Sequence, residues 1–203
     1  MKQHTFLGAV LGAMICSATA WAVEPGDAAP AFTVKNTKGE EVTLAAQKGK
    51  VVVLEWVNFD CPFVKKHYSS GNIPKLQEKY TGKDVVWITI NSSASGAEGS
   101  LAATELGERA KKDGNKASQV VLDGDGKVGK AYGAKTTPHL FVIDKEGKVA
   151  YNGAIDSKAT TDVKDLETAD SYISDALDAV LAGKAVAKAK TQPYGCGVKY
   201  AAN

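Results

Sequence analysis

The stretch that most limits what this chain can fold into is residues 51–68, VVVLEWVNFDCPFVKKHY. The run Val51–Val57, rich in β-branched residues, reads as a strand buried on both faces, and Pro62 stands where a proline best opens a helix. Cys61 therefore sits at a strand-to-helix junction. Unpaired backbone N–H groups and the helix dipole favour an anion there, so its thiol should lose its proton more readily than a free cysteine.

The rest of the chain reads as an exported single domain. Residues 1–22 carry Lys2, an apolar run from Phe6 to Ile15, and the small-x-small pattern Ala20-Trp21-Ala22, which is the layout of a secretory signal peptide. Cys16 is not a lipoprotein cysteine, because Ile15 rather than a small residue precedes it. Removing those residues takes away one charged side chain, Lys2, so the formal charge falls from +2 to +1. A near-neutral surface argues against nucleic acid and anionic lipid as partners, and no run is long enough to stay in a membrane. Of 203 residues 181 remain, enough for one domain with a sizeable core. Two cysteines remain, Cys61 and Cys196, in a compartment that permits disulfides, and they are either paired or both free.

Taken in order, Phe32–Lys35 and Glu41–Leu44 predict two short strands around the turn 36–39. After Cys61 a helix runs to about Tyr68, and a second restarts at Pro74 and reaches Tyr80. Residues 84–90 read as a buried strand, 91–99 as a Ser/Ala/Gly loop, 100–112 as a helix and 118–122 as a third strand. Asp123-Gly-Asp-Gly126 resembles the start of a calcium loop, but the later ligand positions are unfilled and a tight turn is expected. A short helix over 127–132 leads to Thr136-Thr137-Pro138, and 139–144 and 149–152 form a hairpin around Lys145–Lys148. Helical spacing over 166–181 ends at Gly183, and residues 184–203 form a tail carrying Cys196. The order implies an α/β fold with a mixed sheet. The expected division is signal peptide 1–22, domain 23–183 and tail 184–203.

This layout resembles the thioredoxin-like fold, in the branch holding the redoxin and peroxiredoxin (alkyl hydroperoxide reductase/thiol-specific antioxidant) proteins. The resemblance covers roughly Asp27–Leu181 and rests on Cys61-Pro62-Phe63-Val64-Lys65, the run Gly129–Pro138, Phe141–Asp144 and the tail Tyr194–Tyr200. It implies a central mixed sheet flanked by helices, with an N-terminal β extension and a cysteine-bearing C-terminal tail. It also implies a cis Pro138 against the active-site sulfur, with Thr137 presenting its backbone to substrate, and a buried acid six residues before the cysteine, which is Glu55. Three positions depart from the pattern. Val64 stands where thioredoxins carry a second cysteine, Asn58 where peroxiredoxins carry threonine, and the only arginine, Arg109, is no sure match for their activating arginine.

Cys61 is the candidate attacking thiolate, with Lys65 one turn on adding positive field. Cys196, flanked by Gly195 and Gly197, is the candidate disulfide partner. It either resolves a sulfenic acid or mixed disulfide on Cys61, or closes a permanent bridge of about 4 to 5 kcal/mol in the chain-entropy model. Glu55, buried in a strand, should have a raised pKa and shuttle a proton, or else pair with a lysine. Asn58, Pro62, Thr137, Pro138 and His139 would line the pocket, with Asn58 either bonding the reacting group or shaping the turn. Cys61, His139 and Cys196 are a conceivable soft-metal set, but without a close-spaced ligand pair no metal and no cofactor is expected. His67, six residues past Cys61, lies off its helical face and receives no role, and Tyr194 and Tyr200 would pack the tail.

The expected function is an exported thiol-dependent oxidoreductase, peroxiredoxin-like, taking a peroxide or a protein disulfide and recycled by an external dithiol. Two alternatives stand beside it. One is thiol–disulfide exchange on exported proteins, and the other is a non-catalytic binding module stapled by a Cys61–Cys196 disulfide.

Overall fold

The apolar run forms β3 (Val51–Trp56), buried at all six positions, and it lies inside the sheet with a strand on each side, as its composition requires. The computed structural model describes residues 22–202, so the expected signal peptide falls almost wholly outside the described residues. The other strands are β1 (Thr33–Asn36), β2 (Glu41–Thr43), β4 (Val85–Asn91), β5 (Gln119–Leu122), β7 (His139–Ile143) and β8 (Val149–Gly153). They form one seven-stranded sheet in the order β2-β1-β5-β4-β3-β7-β8. β3, β4 and β5 run parallel, and the β1–β2, β1–β5, β3–β7 and β7–β8 pairs are antiparallel, which makes the expected mixed sheet.

Strand pleating splits β3 between two cores. Val51, Val53 and Val57 join Trp87, Leu140 and Val142 on the face covered by α1 (Pro62–Ser69), α2 (Asn72–Thr81), α3 (Ala103–Lys112) and α5 (Tyr172–Leu181). Val52, Leu54 and Trp56 meet Ile88, Ile90, Phe141 and Tyr132 on the other, under α4 (Lys127–Tyr132) and the N-terminal segment. Each such side chain, removed from water, stabilises the fold by roughly 1.5 to 3 kcal/mol. Among the described residues no helix is long and apolar enough to cross a membrane.

One sequence expectation needs correction. The helix predicted over 166–181 is a short 3-10 turn, Val163–Glu167, capped by the Asp162 side chain, followed by α5 from Tyr172. Ser157 and Asp170 bond to each other across the connection, Ser157 N–H to Asp170 O at 3.1 Å and Asp170 N–H to Ser157 Oγ at 2.9 Å, and hold the chain off a helical path. The tail docks on the domain. Its Cys196–Gly197 segment, β9, pairs antiparallel with β6 (Thr136–Thr137) as a separate two-stranded sheet.

The Asp123 turn is a cap rather than a calcium loop. Its buried carboxylate accepts from the Val128 N–H (3.1 Å) and Gly129 N–H (2.9 Å) of α4 and from Ser92 Oγ (2.7 Å). Asp123→Ala leaves three buried donors without an acceptor and should lower stability by about 2 kcal/mol or more. A denaturation midpoint equivalent to less than about 0.5 kcal/mol of loss, far below an ordinary cap, would contradict this role.

Candidate active site

Cys61 takes the N-cap position of α1 with extended backbone (φ −62°, ψ 126°), and Pro62 is the first helical residue, as the sequence requires. Its thiol is 1% exposed and donates to the Thr137 carbonyl oxygen at 3.1 Å, across the cis Thr137–Pro138 bond expected from the resemblance. The Thr137 hydroxyl is buried and has no hydrogen-bond partner among the described residues, so it is left over for an ionised sulfur.

The tail brings the second sulfur. Thr137 is paired with Cys196 and Thr136 with Gly197, and Val198 N–H bonds Lys135 O at 3.1 Å. Both cysteines are free, one of the two states the sequence left open, and the β6–β9 pairing sets Cys196 beside the residue whose carbonyl accepts from Cys61. The pairing is possible because Gly195 has φ +135° and no side chain: a Cβ built there would lie 2.1 Å from Thr137 O.

The two thiols are electrically unequal. Burial alone would push Cys61 up, but the Cys196 thiol, the Val64 N–H of the first helical turn, Thr137 and the Cys196 N–H favour its thiolate and bring it below an ordinary cysteine. Cys196 is pushed up to about 12, by burial first and then by giving its hydrogen bond to Cys61 and feeling its charge. Of the two, Cys61 is thus the one that favours the thiolate and Cys196 the one that favours the thiol.

The remaining candidate residues divide. Glu55 shares the face of β3 that carries the α1 core but forms no hydrogen bond to Cys61. It accepts instead from Tyr68 OH (2.9 Å), Gln77 Nε2 (3.0 Å), Trp87 Nε1 (2.7 Å) and Thr89 Oγ1 (3.2 Å), and burial raises its pKa. Asn58 shapes the turn: its Oδ1 accepts from Asp60 N–H (2.9 Å) and its Nδ2 donates to Glu98 O (3.3 Å). His139 does not face the sulfur. Its Nδ1 accepts from Lys135 N–H (3.2 Å), its Nε2 meets Asn152 Oδ1 (2.8 Å), and its ring lies on Phe141, which corrects its placement in the pocket. Lys65 reaches Asp60 at 3.8 Å rather than Cys61, and Arg109 is committed to Asp113, Asp60 and the Phe59 carbonyl.

His67, given no role from its spacing, is fully buried and meets the tail: its Nε2 lies 3.2 Å from the Tyr194 hydroxyl, which also bonds Asp156. Tyr194 packs its ring, tilted, against Phe63 and Tyr200 OH donates to Ala134 O at 2.9 Å, so both tyrosines pack the tail as expected. Helical spacing from Cys61 could not reveal His67, because its partner lies 127 residues away. The sequence signal for the docked tail was the Gly-Cys-Gly triplet, which permits close backbone approach.

A family model described as Redoxin matches residues 24–169. The thiol-disulfide oxidoreductase ResA of Bacillus thuringiensis subsp. konkukian (strain 97-27) is 31% identical over 129 residues, 63% of this chain and 68% of that protein. Two solved structures align over most of the chain. Hypothetical protein SMc02350 from Sinorhizobium meliloti 1021 does so with a TM-score of 0.75 at 27% identity, covering 89% of this chain and 97% of its own. An uncharacterized conserved protein from Geobacillus kaustophilus gives 0.74 at 28%, covering 88% and 93%.

Proposed function

The chain belongs to the Redoxin family, and from that premise we propose that it is a thiol–disulfide oxidoreductase whose redox pair is Cys61 and Cys196, acting on disulfides of other exported proteins. The observation that carries this reading is the pairing of Cys196 with Thr137, whose carbonyl accepts from the buried Cys61 thiol at 3.1 Å, so that the tail brings the second cysteine to the first.

The exchange runs in two balanced steps. Cys61 thiolate attacks one sulfur of the substrate disulfide. That S–S bond breaks, the other sulfur departs as a thiolate that takes a proton from water, and a mixed disulfide forms on Cys61. The negative charge that held the Cys196 proton is then gone, so Cys196 loses its proton to solvent more readily and attacks the Cys61 sulfur. The mixed disulfide breaks, the substrate leaves with its second thiol, and the chain holds the Cys61–Cys196 disulfide after giving up two electrons. An external dithiol returns it to the reduced state.

Support for exchange over peroxide reduction comes from the ResA likeness and from the surroundings of the sulfur. Arg109 is bound elsewhere, and the Asn58 side chain that stands in the threonine position is engaged by the turn. Export is inferred from residues 1–22.

Cys196→Ser, reduced and mixed with a disulfide-bonded peptide, should accumulate a mixed disulfide on Cys61 visible by non-reducing mass mapping, whereas the unaltered chain should release reduced peptide and gain the Cys61–Cys196 bond. No mixed disulfide, with Cys61 reacting no faster than free cysteine, would sink the proposal. Rapid sulfenic acid formation with peroxide and none with the peptide would move the function to peroxide reduction.

A further inference from the structure

A buried polar cluster beside α1 is left unused by the exchange steps. Tyr194, two residues before Cys196, places its hydroxyl between His67 on α1 and Asp156 on the loop after β8. It donates to Asp156 Oδ1 and lies 3.2 Å from His67 Nε2. The other ring nitrogen, Nδ1, is 2.9 Å from the Asn72 amide nitrogen, so it accepts there and Nε2–H is the donor to Tyr194. Asp156 Oδ1 also accepts from Lys158 N–H (2.9 Å). Its Oδ2 is buried, has no hydrogen-bond partner among the described residues, and lies 3.9 Å from His67 Nε2. His67 is 0% exposed and Asp156 3%.

We propose that His67 and Asp156 form a proton-operated receptor for the Tyr194 hydroxyl, which holds the Cys196 tail against Cys61 and releases it when His67 takes up a proton. This deepens the proposed function, resting on it only in that Cys196 is the partner of Cys61. In the docked state a second ring proton on His67 would point at the Asn72 donor, in a site closed to water. With Tyr194 gone, water enters, and protonated His67 closes onto the waiting Asp156 Oδ2.

The groups facing His67 are Asp156 and Tyr194, with Tyr151 behind Tyr194 and Lys66 on the same helix, its ammonium turned to Lys158 O at 2.9 Å. Burial lowers the docked His67 to about 4, with Asp156 opposing and Lys66 assisting. A histidine depressed in the docked state favours docking when neutral. Docking is therefore at full strength above pH 6.5, the ordinary histidine value, and weakens by up to about tenfold per pH unit as pH falls toward 4.

The amide NMR signals of Gly195 and Gly197 in the reduced full chain read the docked state. They should move to those of a free tail with a midpoint between pH 6.5 and 4, while the amides of β3 stay native. His67→Gln, which keeps a neutral donor to Tyr194, should hold the tail docked throughout that range, and Tyr194→Phe should free it at pH 7. A tail that stays docked at pH 4, a midpoint shared with β3, or an unchanged midpoint in His67→Gln would overturn the receptor, and if that variant does not fold, a tail still docked in Tyr194→Phe does the same. The same titration on the Cys61→Ser/Cys196→Ser chain separates the two readings. Tail release there with no disulfide exchange in the unaltered chain would leave the receptor standing and remove the proposed function.

Discussion

Gly195→Ala is expected to slow formation of the Cys61–Cys196 disulfide by about 100-fold or more, with both cysteines intact. The added methyl would meet backbone: 2.1 Å from Thr137 O, 2.8 Å from Thr137 C and 3.3 Å from Pro138 N. None of these atoms can turn away as a side chain would, and φ +135° is itself unfavourable for alanine. The strand Cys196–Gly197 must therefore leave Thr136–Thr137, and a thiol held beside Thr137 becomes one that samples the volume of a flexible tether. Gly197→Ala is the matched control, since a Cβ there meets nothing within 4 Å. The measurement is the time course of the bond in oxidised glutathione, followed by peptide mapping. A rate within threefold of the unaltered chain, a far smaller change than loss of proximity entails, would show that docking does not set the encounter of the sulfurs.

The second large effect concerns Glu55. Its carboxyl group collects four donors in the core, and Glu55→Ala leaves the Tyr68 and Thr89 hydroxyls, the Gln77 amide and the Trp87 indole without it. At about 1 to 3 kcal/mol for each donor left unsatisfied, and with partial relaxation, the loss should be roughly 4 kcal/mol, a large share of a domain's stability. Denaturant unfolding measures it, and a loss below about 1 kcal/mol, the worth of a single ordinary hydrogen bond, would show that the donors find other acceptors. Burial raises the Glu55 pKa above 4.5, so its neutral form is favoured by the fold. That contribution is fully present below pH 4.5 and is lost as pH rises through the folded-state value, opposite in sign to the usual carboxylate. Glu55→Gln should remove this pH dependence, and a drop in exchange rate in the still-folded variant would give Glu55 the proton-transfer role that its hydrogen bonds do not reveal.

Local signals were legible and distant pairings were not. Val51–Trp56 announced its burial by composition, Pro62 marked the start of α1, and the hairpin of β7 and β8 followed from its turn. All three depend on neighbours along the chain. The break before α5 depends on Ser157 meeting Asp170, and the role of His67 on Tyr194, contacts that no periodicity encodes. Glu55 was read correctly as a buried acid, but its four donors come from α1, α2 and β4, so its involvement away from the sulfur could be seen only in the folded chain. Val64 marked the absence of a local second cysteine, and Cys196 arrives at the site from the far end of the chain.

The short strand β9 also makes the reduction potential of the pair adjustable. Two cysteines within one helical turn have their separation fixed by covalent geometry. Here it is fixed by how firmly the dithiol form holds residues 194–200 in place, through contacts such as Ala94 N–H to Lys199 O at 2.8 Å and Tyr200 to Ala134. For a two-electron couple, each tenfold weakening of a hold that the dithiol form alone enjoys makes the disulfide easier to form and lowers the potential by about 30 mV. Side chains far from either sulfur can therefore tune how oxidising this protein is.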